Sequence, residues 1–316
     1  MPEPKAADLA RLAWEARLGS RGRVIRFDRL TATKAVSVTG RACGASCAHC
    51  GGHYLKAMLT PRAARRLAAR SAGGGDGPGP EVKSWLVSGG CDVDGRVPLL
   101  EDRALLEDLA RSGPLNLHAG LVRSEDEAEA IAERATAVSF DFVVDDETIR
   151  EVYGFKGVTG EDFRRSFVLL SRYARVVPHV LIGLRGGRVH GEREALRELA
   201  RLGAEGVVLL VLIPTPGSRF GAVAPPPLED VASVVAEARL IFPSRPVHLG
   251  CMRPKGSYRA ELDVMAVRAG VDRVAVPTPG AVREAGRLGL EAVWSDECCV
   301  FSEEDLGRPV GGGDRR

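Results

Sequence analysis

The feature that most constrains the fold of this chain is a regular alternation of short apolar runs with helix-forming stretches. The runs are rich in Val, Ile and Leu, as expected for parallel strands that are buried on both faces. Eight strands are predicted, at 35–39, 84–88, 115–118, 138–144, 176–183, 207–213, 246–250 and 272–276. Helices are predicted after them, at 61–70, 101–111, 124–134, 161–173, 191–202, 228–241, 257–269 and 280–288. Eight such units within about 250 residues predict an α/β fold, a (β/α)8 TIM-type barrel.

No break in this alternation divides the chain of 316 residues. A single domain over 1–316 is therefore predicted, with a helical lead-in at 1–30, a barrel at about 35–290 and a cysteine-bearing tail at 291–316. The glycine-rich stretch 72–80 is expected to be a flexible connector, and the end of the chain, 311–316, is expected to be disordered.

Charge and composition narrow the class of protein. The net charge is only +2, so nothing favours a partner that is a nucleic acid or a membrane surface. No apolar run approaches the length of a membrane span, and the first residues lack the apolar core of a signal peptide. Seven cysteines without such a signal indicate a cytoplasmic protein that uses thiols as metal ligands rather than in disulfides.

Three of the cysteines follow the first predicted strand, with the spacing C-x3-C-x2-C at Cys43, Cys47 and Cys50. Three thiolates can hold three irons of a [4Fe–4S] cluster and leave the fourth iron open. An open iron can chelate the amino and carboxylate groups of S-adenosylmethionine (SAM), reduce it and release a 5′-deoxyadenosyl radical, with the protein supplying ligands and shelter.

Two simpler explanations of the three cysteines remain open. Structural zinc needs four ligands, and His49 is a candidate for the fourth, although it directly precedes Cys50 and adjacent side chains would have to converge. The second explanation is that the three thiols are ordinary buried residues, although Gly44, Gly51 and Gly52 make the segment poorly suited to packing.

The C-x3-C-x2-C spacing at the end of the first strand resembles that of the radical SAM superfamily. The resemblance implies that Ser88, Gly89 and Gly90, after the second strand, meet the methionine amine of SAM. Asp141 on the fourth strand would bind the ribose hydroxyls if its face is the barrel lumen, and would otherwise be a solvated carboxylate or a cap. Backbone groups of the fifth strand's end would contact adenine, and the residues there are Gly183 and Leu184.

Four further cysteines lie outside this motif, at Cys91, Cys251, Cys298 and Cys299. Three or four of them are candidate ligands of an auxiliary iron–sulfur cluster, because Cys91 and Cys251 end predicted strands, where barrels build their active sites. For the tail to contribute, 290–296 would have to climb back towards that face. The alternative is that these are buried thiols. Arg253, two residues after Cys251, is a candidate for a charge beside a cluster ligand or for a group that binds a carboxylate. The alternative is an ordinary solvated or salt-bridged arginine.

An auxiliary cluster in a radical SAM barrel implies sulfur insertion. Over roughly 36–301 the chain resembles the second subunits of archaeal-type, two-protein lipoyl synthases. The resemblance is carried by the segments TGRACGASCAHCGGHYLKAM, SGGCDVDGRVPL, HLGCMRPKGSYRAELDVMAVRAGVDRVAVPTPG and ECC. The chain lacks the N-terminal cysteine triad and C-terminal RSSY of ordinary lipoyl synthase, and the three-cysteine, one-arginine set of biotin synthase.

The resemblance implies a radical SAM sulfurtransferase that acts on an octanoyl chain carried by a lipoyl carrier protein. Its expected partners are that carrier, a second radical SAM subunit and an electron donor such as ferredoxin or flavodoxin. A biotin-synthase-like or lyase-type radical SAM enzyme that acts on a small molecule is the alternative. A third hypothesis is a non-enzymatic iron–sulfur or zinc module. The eight-unit barrel argues against it, because such a module requires a much smaller structure.

Overall fold

The computed structural model describes residues 6–72 and 82–307, and its centre is one all-parallel sheet of ten strands. The strands are Val24–Asp28 (β1), Thr33–Ser37 (β2), Ser84–Ser88 (β3), Leu115–Ala119 (β4), Ala137–Asp141 (β5), Val176–Ile182 (β6), Val207–Val211 (β7), Val247–Leu249 (β8), Arg273–Ala275 (β9) and Glu291–Ser295 (β10). All eight predicted strands are present as β2 to β9. The α/β barrel class is confirmed, with one additional strand before the predicted set and one after it.

The order of the strands in the sheet is β10-β1-β9-β8-β7-β6-β5-β4-β3-β2. The four residues 29–32 join β1 to β2, although these strands lie near opposite edges of the sheet. The amide of Ala32 donates to the carbonyl of Asp296 (2.8 Å), and the amide of Cys298 donates to Oγ1 of Thr33 (2.7 Å). These contacts bring the end of β10 to the start of β2, so the sheet curls around an interior.

The helices cover the outer face of the curled sheet, as the βαβ pattern requires. They are Ala6–Arg21 (α1), Pro61–Ala72 (α2), Arg103–Ala110 (α3), Glu125–Ala132 (α4), Asp146–Thr148 (α5), Gly160–Ser171 (α6), Glu192–Arg201 (α7), Leu228–Ile241 (α8), Ser257–Arg268 (α9) and Pro279–Arg287 (α10). Every predicted helix is present. Short 3-10 helices at His53–Ala57 and Leu99–Asp102, and a π-helical turn at Ile149–Tyr153, lie in the connecting segments.

The strands are buried on both faces because the helices cover one side and the curl encloses the other. Trp85 and Val87 on β3, Leu117 on β4 and Val208 and Leu209 on β7 are all fully buried. Burial of this kind stabilises the fold by about 1.5–3 kcal/mol for each large apolar side chain.

The first additional strand, β1, has a composition that does not predict a buried strand. In β1, Arg26 and Asp28 alternate with the buried Ile25 and Phe27, and an ion pair of 3.1 Å joins the two charged side chains. Arg273 on β9 also approaches Asp28, at 3.6 Å. A run with two charges in five residues does not resemble a buried parallel strand, yet here the charges neutralise one another inside the sheet.

The tail returns along the sheet as a strand and then enters the barrel interior. Residues 291–295 form β10, and the chain then turns under the sheet, where Cys298 contacts Thr33 at the first residue of β2. Val300 and Phe301 pack with Ala137, the first residue of β5, and Cys299 packs with Val208 near the start of β7. The tail therefore closes the floor of the barrel, where these strands begin, and Cys251 after the short strand β8 packs with the same group.

Four of the predictions made from the sequence remain predictions. The single-domain boundaries are not tested by the structure, and most of the connector 72–80 and all of 311–316 lie outside the described residues. Across 6–72 and 82–307, no helix has both the length and the apolar character needed to cross a membrane. The cytoplasmic location stays a prediction.

Candidate active site

The cysteine loop lies directly after β2 and is fixed by backbone hydrogen bonds. The amides of Gly44 and Ala45 both donate to the carbonyl of Cys91, at 2.7 and 3.2 Å. The amide of Ala48 donates to the carbonyl of Val152 in the π-helical turn (2.6 Å). The loop is thus held between the end of β3 and the segment after β5, at the face where barrels place their active sites.

The glycines after β3 allow the cysteine loop to approach. The amide of Gly90 donates to Oγ1 of Thr39 (2.7 Å). A Cβ atom at Gly90 would lie 2.1 Å from the carbonyl oxygen of Ala42 and 2.6 Å from Cα of Cys43. Contact with the loop therefore excludes any side chain at Gly90, and the predicted contact of Ser88, Gly89 and Gly90 with SAM remains a prediction.

A cavity of about 370 Å³ occupies the barrel interior, and all seven cysteines line it. Its walls are mostly apolar, with a few polar side chains from the strands. Ser88, Gly89, Gly90 and Asp141, all predicted to contact SAM, line the same cavity. A mostly apolar cavity of this size with a few convergent polar groups is typical of a small-molecule site.

Four of the cysteines form an upper group at the cysteine loop: Cys43, Cys47, Cys50 and Cys91. Burial raises the pKa of Cys47, and the proximity of Cys91, Cys50 and Cys43 raises it further. Burial and the neighbouring Cys43 likewise raise the pKa of Cys91 to about 12. The neutral thiol is therefore the stable form of Cys47 and of Cys91, and a cationic metal centre would reverse that preference.

The upper group suits a cluster better than a single ion. In the described part of the chain, no three His, Cys, Asp or Glu side chains are arranged to hold one metal ion. The thiolates of a cluster bind different irons and do not have to converge on one point. His49, the candidate fourth zinc ligand, packs against Tyr153 with ring centroids 5.3 Å apart, and burial lowers its pKa to about 4.

The other three cysteines form a lower group at the barrel floor: Cys251, Cys298 and Cys299. They pack with one another and with Val208 and Ala275. A hydrogen bond from Cys299 lowers the pKa of Cys298 and raises that of Cys299. Cys251 follows β8, and burial raises its pKa to about 11.

The sequence analysis grouped the four cysteines outside the motif as candidate ligands of one auxiliary cluster, but in the structure they do not lie together. Cys91 lies with Cys43, while Cys251, Cys298 and Cys299 lie together on the far side of the cavity. Both residues of the adjacent pair Cys298–Cys299 line the cavity.

A cluster of imidazoles surrounds Asp141, which sequence reasoning had considered alone. Nε2 of His118 on β4 lies 3.4 Å from Oδ1 of Asp141, and the rings of His118 and His179 are 5.9 Å apart. Burial alone would raise the pKa of Asp141, but His118 outweighs it and lowers the pKa to about 2. Burial would lower the pKa of His118, but Asp141 raises it.

Next to this cluster, Asn116 on β4 joins the upper and lower parts of the cavity wall. Its Oδ1 accepts hydrogen bonds from the amide and Oγ of Ser139, at 3.1 and 2.9 Å, and its Nδ2 lies 3.8 Å from Sγ of Cys298. Asn116, His118 and His179 were missed in the sequence. Their signal was the placement of polar residues at alternate positions of otherwise apolar strands.

Two predicted adenine contacts lie away from the cavity. The amide of Gly183 donates to Oε1 of Glu192 (2.7 Å), and the amide of His190 donates to Oε2 of the same carboxylate. Leu184 lines a separate, much smaller cavity beside Glu192 and Val180. The Gly183 amide is therefore already used in fixing the start of α7.

Arg253 does not line the cavity either. Its side chain is fully buried and forms an ion pair with Asp263 at 2.7 Å, and Asp263 is also fully buried. The same guanidinium donates to the carbonyls of Gly250, Ala275 and Val276, at 2.6, 2.8 and 3.2 Å. Arg253 thus fixes the loops after β8 and β9, including the segment that carries Cys251.

Comparison with known proteins identifies the fold but not the sequence family. No protein-family model and no curated protein matches the chain. Methylornithine synthase (PylB) superposes with a TM-score of 0.62 at 15% identity, covering 91% of this chain and 89% of that one. HydG from Carboxydothermus hydrogenoformans, an FeFe-hydrogenase maturase, gives 0.62 at 14% identity, covering 95% and 75%.

A third solved structure shares the architecture over a shorter length. Streptococcus suis SuiB bound to S-adenosylmethionine gives a TM-score of 0.51 at 11% identity, covering 78% of this chain and 58% of that one. These three neighbours are radical SAM enzymes. The curled, all-parallel sheet, with a cysteine loop after β2 at the mouth of its interior cavity, is therefore the barrel fold of the radical SAM enzymes.

Proposed function

We propose that this protein is a radical SAM enzyme. One observation carries the proposal: Cys43, Cys47 and Cys50 are free thiols that line the mouth of a single interior cavity, within a fold that radical SAM enzymes share. The three thiols are the donor set for three irons of a [4Fe–4S] cluster. Such a cluster would supply the electron that cleaves SAM to a 5′-deoxyadenosyl radical.

The residues of this chain would hold and shelter the reactants. The backbone at Gly89 and Gly90 approaches the cysteine loop closely, so SAM bound there would be near the thiols. The cavity below is lined by apolar side chains, among them Leu86, Phe140 and Leu210. Exclusion of water from this space would protect a radical from side reactions.

We further propose that the reaction is sulfur insertion into an octanoyl chain on a lipoyl carrier protein, with a partner subunit. The lower group, Cys251, Cys298 and Cys299, supports this proposal because it shares one cavity with the cysteine loop. A substrate in the cavity would lie between a site of hydrogen abstraction and a set of thiols suited to an auxiliary cluster. The apolar walls suit an acyl chain.

The second candidate is a lyase-type or biotin-synthase-like radical SAM enzyme for a small molecule. The similarity in fold to methylornithine synthase and HydG favours it. In that case the lower group would be buried thiols that close the barrel floor, which is consistent with their packing against Val208 and Ala275.

The test of the radical SAM proposal is the variant Cys43→Ala/Cys47→Ala/Cys50→Ala, purified and reconstituted without oxygen. The wild type should form 5′-deoxyadenosine from SAM with dithionite, and the variant should form none. Circular dichroism should be unchanged, because the loop lies outside the sheet. The single variant Cys299→Ala serves as a matched control for thiol loss and should retain SAM cleavage. Formation of 5′-deoxyadenosine by the triple variant would exclude the proposal.

A further inference from the structure

Two surface cavities on one side of the cysteine loop form a continuous basic surface. They measure about 610 and 410 Å³ and share Ser46 and Arg219. Their cationic lining residues, which we call the basic rim, are Arg41, Lys56, Arg150, Arg185, Arg188 and Arg219. Glu151 is the acidic residue among the residues that line them.

Part of this charge is balanced within the chain and part is not. Arg185 forms ion pairs with Glu147 at 2.8 Å and with Glu151 at 3.1 Å. Arg41, Lys56 and Arg188 are exposed, and each lacks an ion pair or side-chain hydrogen bond to any residue of 6–72 and 82–307. Because the net charge of the whole chain is only +2, this local excess does not follow from a generally basic composition.

The opposite side of the loop has a different character. A cavity of about 880 Å³ there is lined by Cys43 and Cys91 together with acidic and basic side chains. The acidic ones, Asp92, Glu101, Asp126 and Glu127, outnumber the basic Arg96 and Arg103. Of the two sides of the cysteine loop, the side with the basic rim therefore has the excess of cationic side chains.

The cysteine loop separates the basic rim from the barrel interior. Cys43 and Cys47 line both the 410 Å³ surface cavity and the 370 Å³ interior cavity. A molecule on the rim can thus come within a short distance of the thiols without entering the interior. A substrate, in contrast, has to reach the interior, where the lower cysteine group lies.

We propose that the basic rim is the docking surface for an acidic electron-donor protein that carries a flavin or an iron–sulfur cluster. The inference rests on the proposed radical SAM function, in which each SAM cleavage consumes one electron. The donor would lose that electron and the metal centre at Cys43, Cys47 and Cys50 would accept it. Because electron transfer slows steeply with distance, docking directly outside Cys43 is favourable, and opposite charges would accelerate the encounter.

The test compares two triple charge reversals. Arg41→Glu/Lys56→Glu/Arg188→Glu reverses the three rim charges that have neither an ion pair nor a side-chain hydrogen bond within the described residues. Arg66→Glu/Arg70→Glu/Arg283→Glu makes the same change in net charge on the exposed faces of α2 and α10. All six side chains are exposed and lack ion pairs within the described residues, so both variants should fold.

The probe is an acidic flavodoxin, and the first measurement is its binding to the cluster-free protein by calorimetry at low and moderate salt. The rim variant should bind at least about 10-fold more weakly at low salt, and its binding should lose most of its dependence on ionic strength. The control variant should bind within about twofold of the wild type.

The second measurement is SAM cleavage by the reconstituted proteins with either reduced flavodoxin or dithionite. The rim variant should be slow only with flavodoxin. Equal flavodoxin binding and rates in the wild type and the rim variant would overturn the docking proposal while leaving the radical SAM function intact. Failure of the wild type with dithionite would overturn both. If the rim variant instead lost only binding of an acidic octanoyl-carrier domain, the rim would belong to the substrate carrier and the electron-donor proposal would be wrong.

Discussion

At the scale of single residues, Gly90 has the tightest steric requirement of the site. Its ideal Cβ would lie 2.1 Å from the carbonyl oxygen of Ala42, so even alanine has to displace the cysteine loop. Gly90→Ala should therefore lower both iron content after reconstitution and affinity for SAM.

The matched control for Gly90 is Gly286→Ala in α10, where the added methyl group would meet nothing within 4 Å. That change should leave the site intact and stabilise the helix by about 0.5–1 kcal/mol. Full iron content and unchanged SAM binding in Gly90→Ala would show that the loop moves freely, contrary to its hydrogen bonds with Cys91.

The pair His118–Asp141 should be visible in the pH dependence of the protein. Asp141→Asn removes the charge that raises the pKa of His118, so burial should dominate and that pKa should fall below its ordinary value of about 6.5. The measurement is an NMR titration of the His118 ring protons. Asp126→Asn on α4, away from the pair, should leave this titration unchanged.

The same pair should make the free energy of unfolding depend on pH, in a direction that follows from the two pKa shifts. The pKa of Asp141 is lowered, so its stabilisation is present above about pH 4 and lost as the pH falls towards 2. The pKa of His118 is raised, so its share is present below about pH 6.5 and lost as the pH rises through the raised value. The stability difference between the wild type and Asp141→Asn should thus be largest in that interval. A constant difference from pH 2 to 9 would contradict the pairing.

At the scale of elements, Arg253 connects the ends of β8 and β9 rather than binding a ligand. Arg253→Ala leaves the Asp263 carboxylate buried without its partner, which should cost about 3–5 kcal/mol of unfolding free energy. Urea denaturation measures this loss, and Arg283→Ala on exposed α10 should change stability by no more than about 0.5 kcal/mol. Unchanged stability with reduced SAM affinity would return Arg253 to the list of cofactor contacts.

The elements that sequence reasoning found and missed have clear physical differences. Strands β2 to β9 were predictable because parallel strands covered on both faces are continuous apolar runs. Strand β1 was missed because its charges Arg26 and Asp28 pair with each other inside the sheet, which a linear pattern cannot show. Strand β10 was missed because its first four residues are exposed at the sheet edge.

In the candidate site, too, the sequence predicted local features and missed contacts between distant parts of the chain. The spacing of Cys43, Cys47 and Cys50 is local, so the sequence contained it in full. The direction of the Arg253 side chain and the meeting of His118 with Asp141 depend on strands that are distant in sequence. Long-range neighbours of this kind are set by the curl of the sheet, and no short motif records them.

At the scale of the whole molecule, the two groups of cysteines stand at opposite ends of one cavity, and this arrangement gives the decisive test. The variant Cys251→Ala/Cys298→Ala/Cys299→Ala removes the lower group and leaves the upper group unchanged. If the lower group holds an auxiliary cluster, anaerobic reconstitution should give about eight irons per wild-type chain and about four in the variant.

Cys91→Ala is the control that the geometry supplies, because Cys91 lies in the upper group beside Cys43 and would not be a ligand at the floor. That variant should keep about eight irons. Both variants should still cleave SAM with dithionite, since the loop cysteines are untouched. The lower-group variant should no longer thiolate an octanoyl carrier, because a carbon radical would lack its sulfur donor. About four irons in the wild type would favour the small-molecule alternative, and thiolated product from the lower-group variant would exclude sulfur donation from the barrel floor.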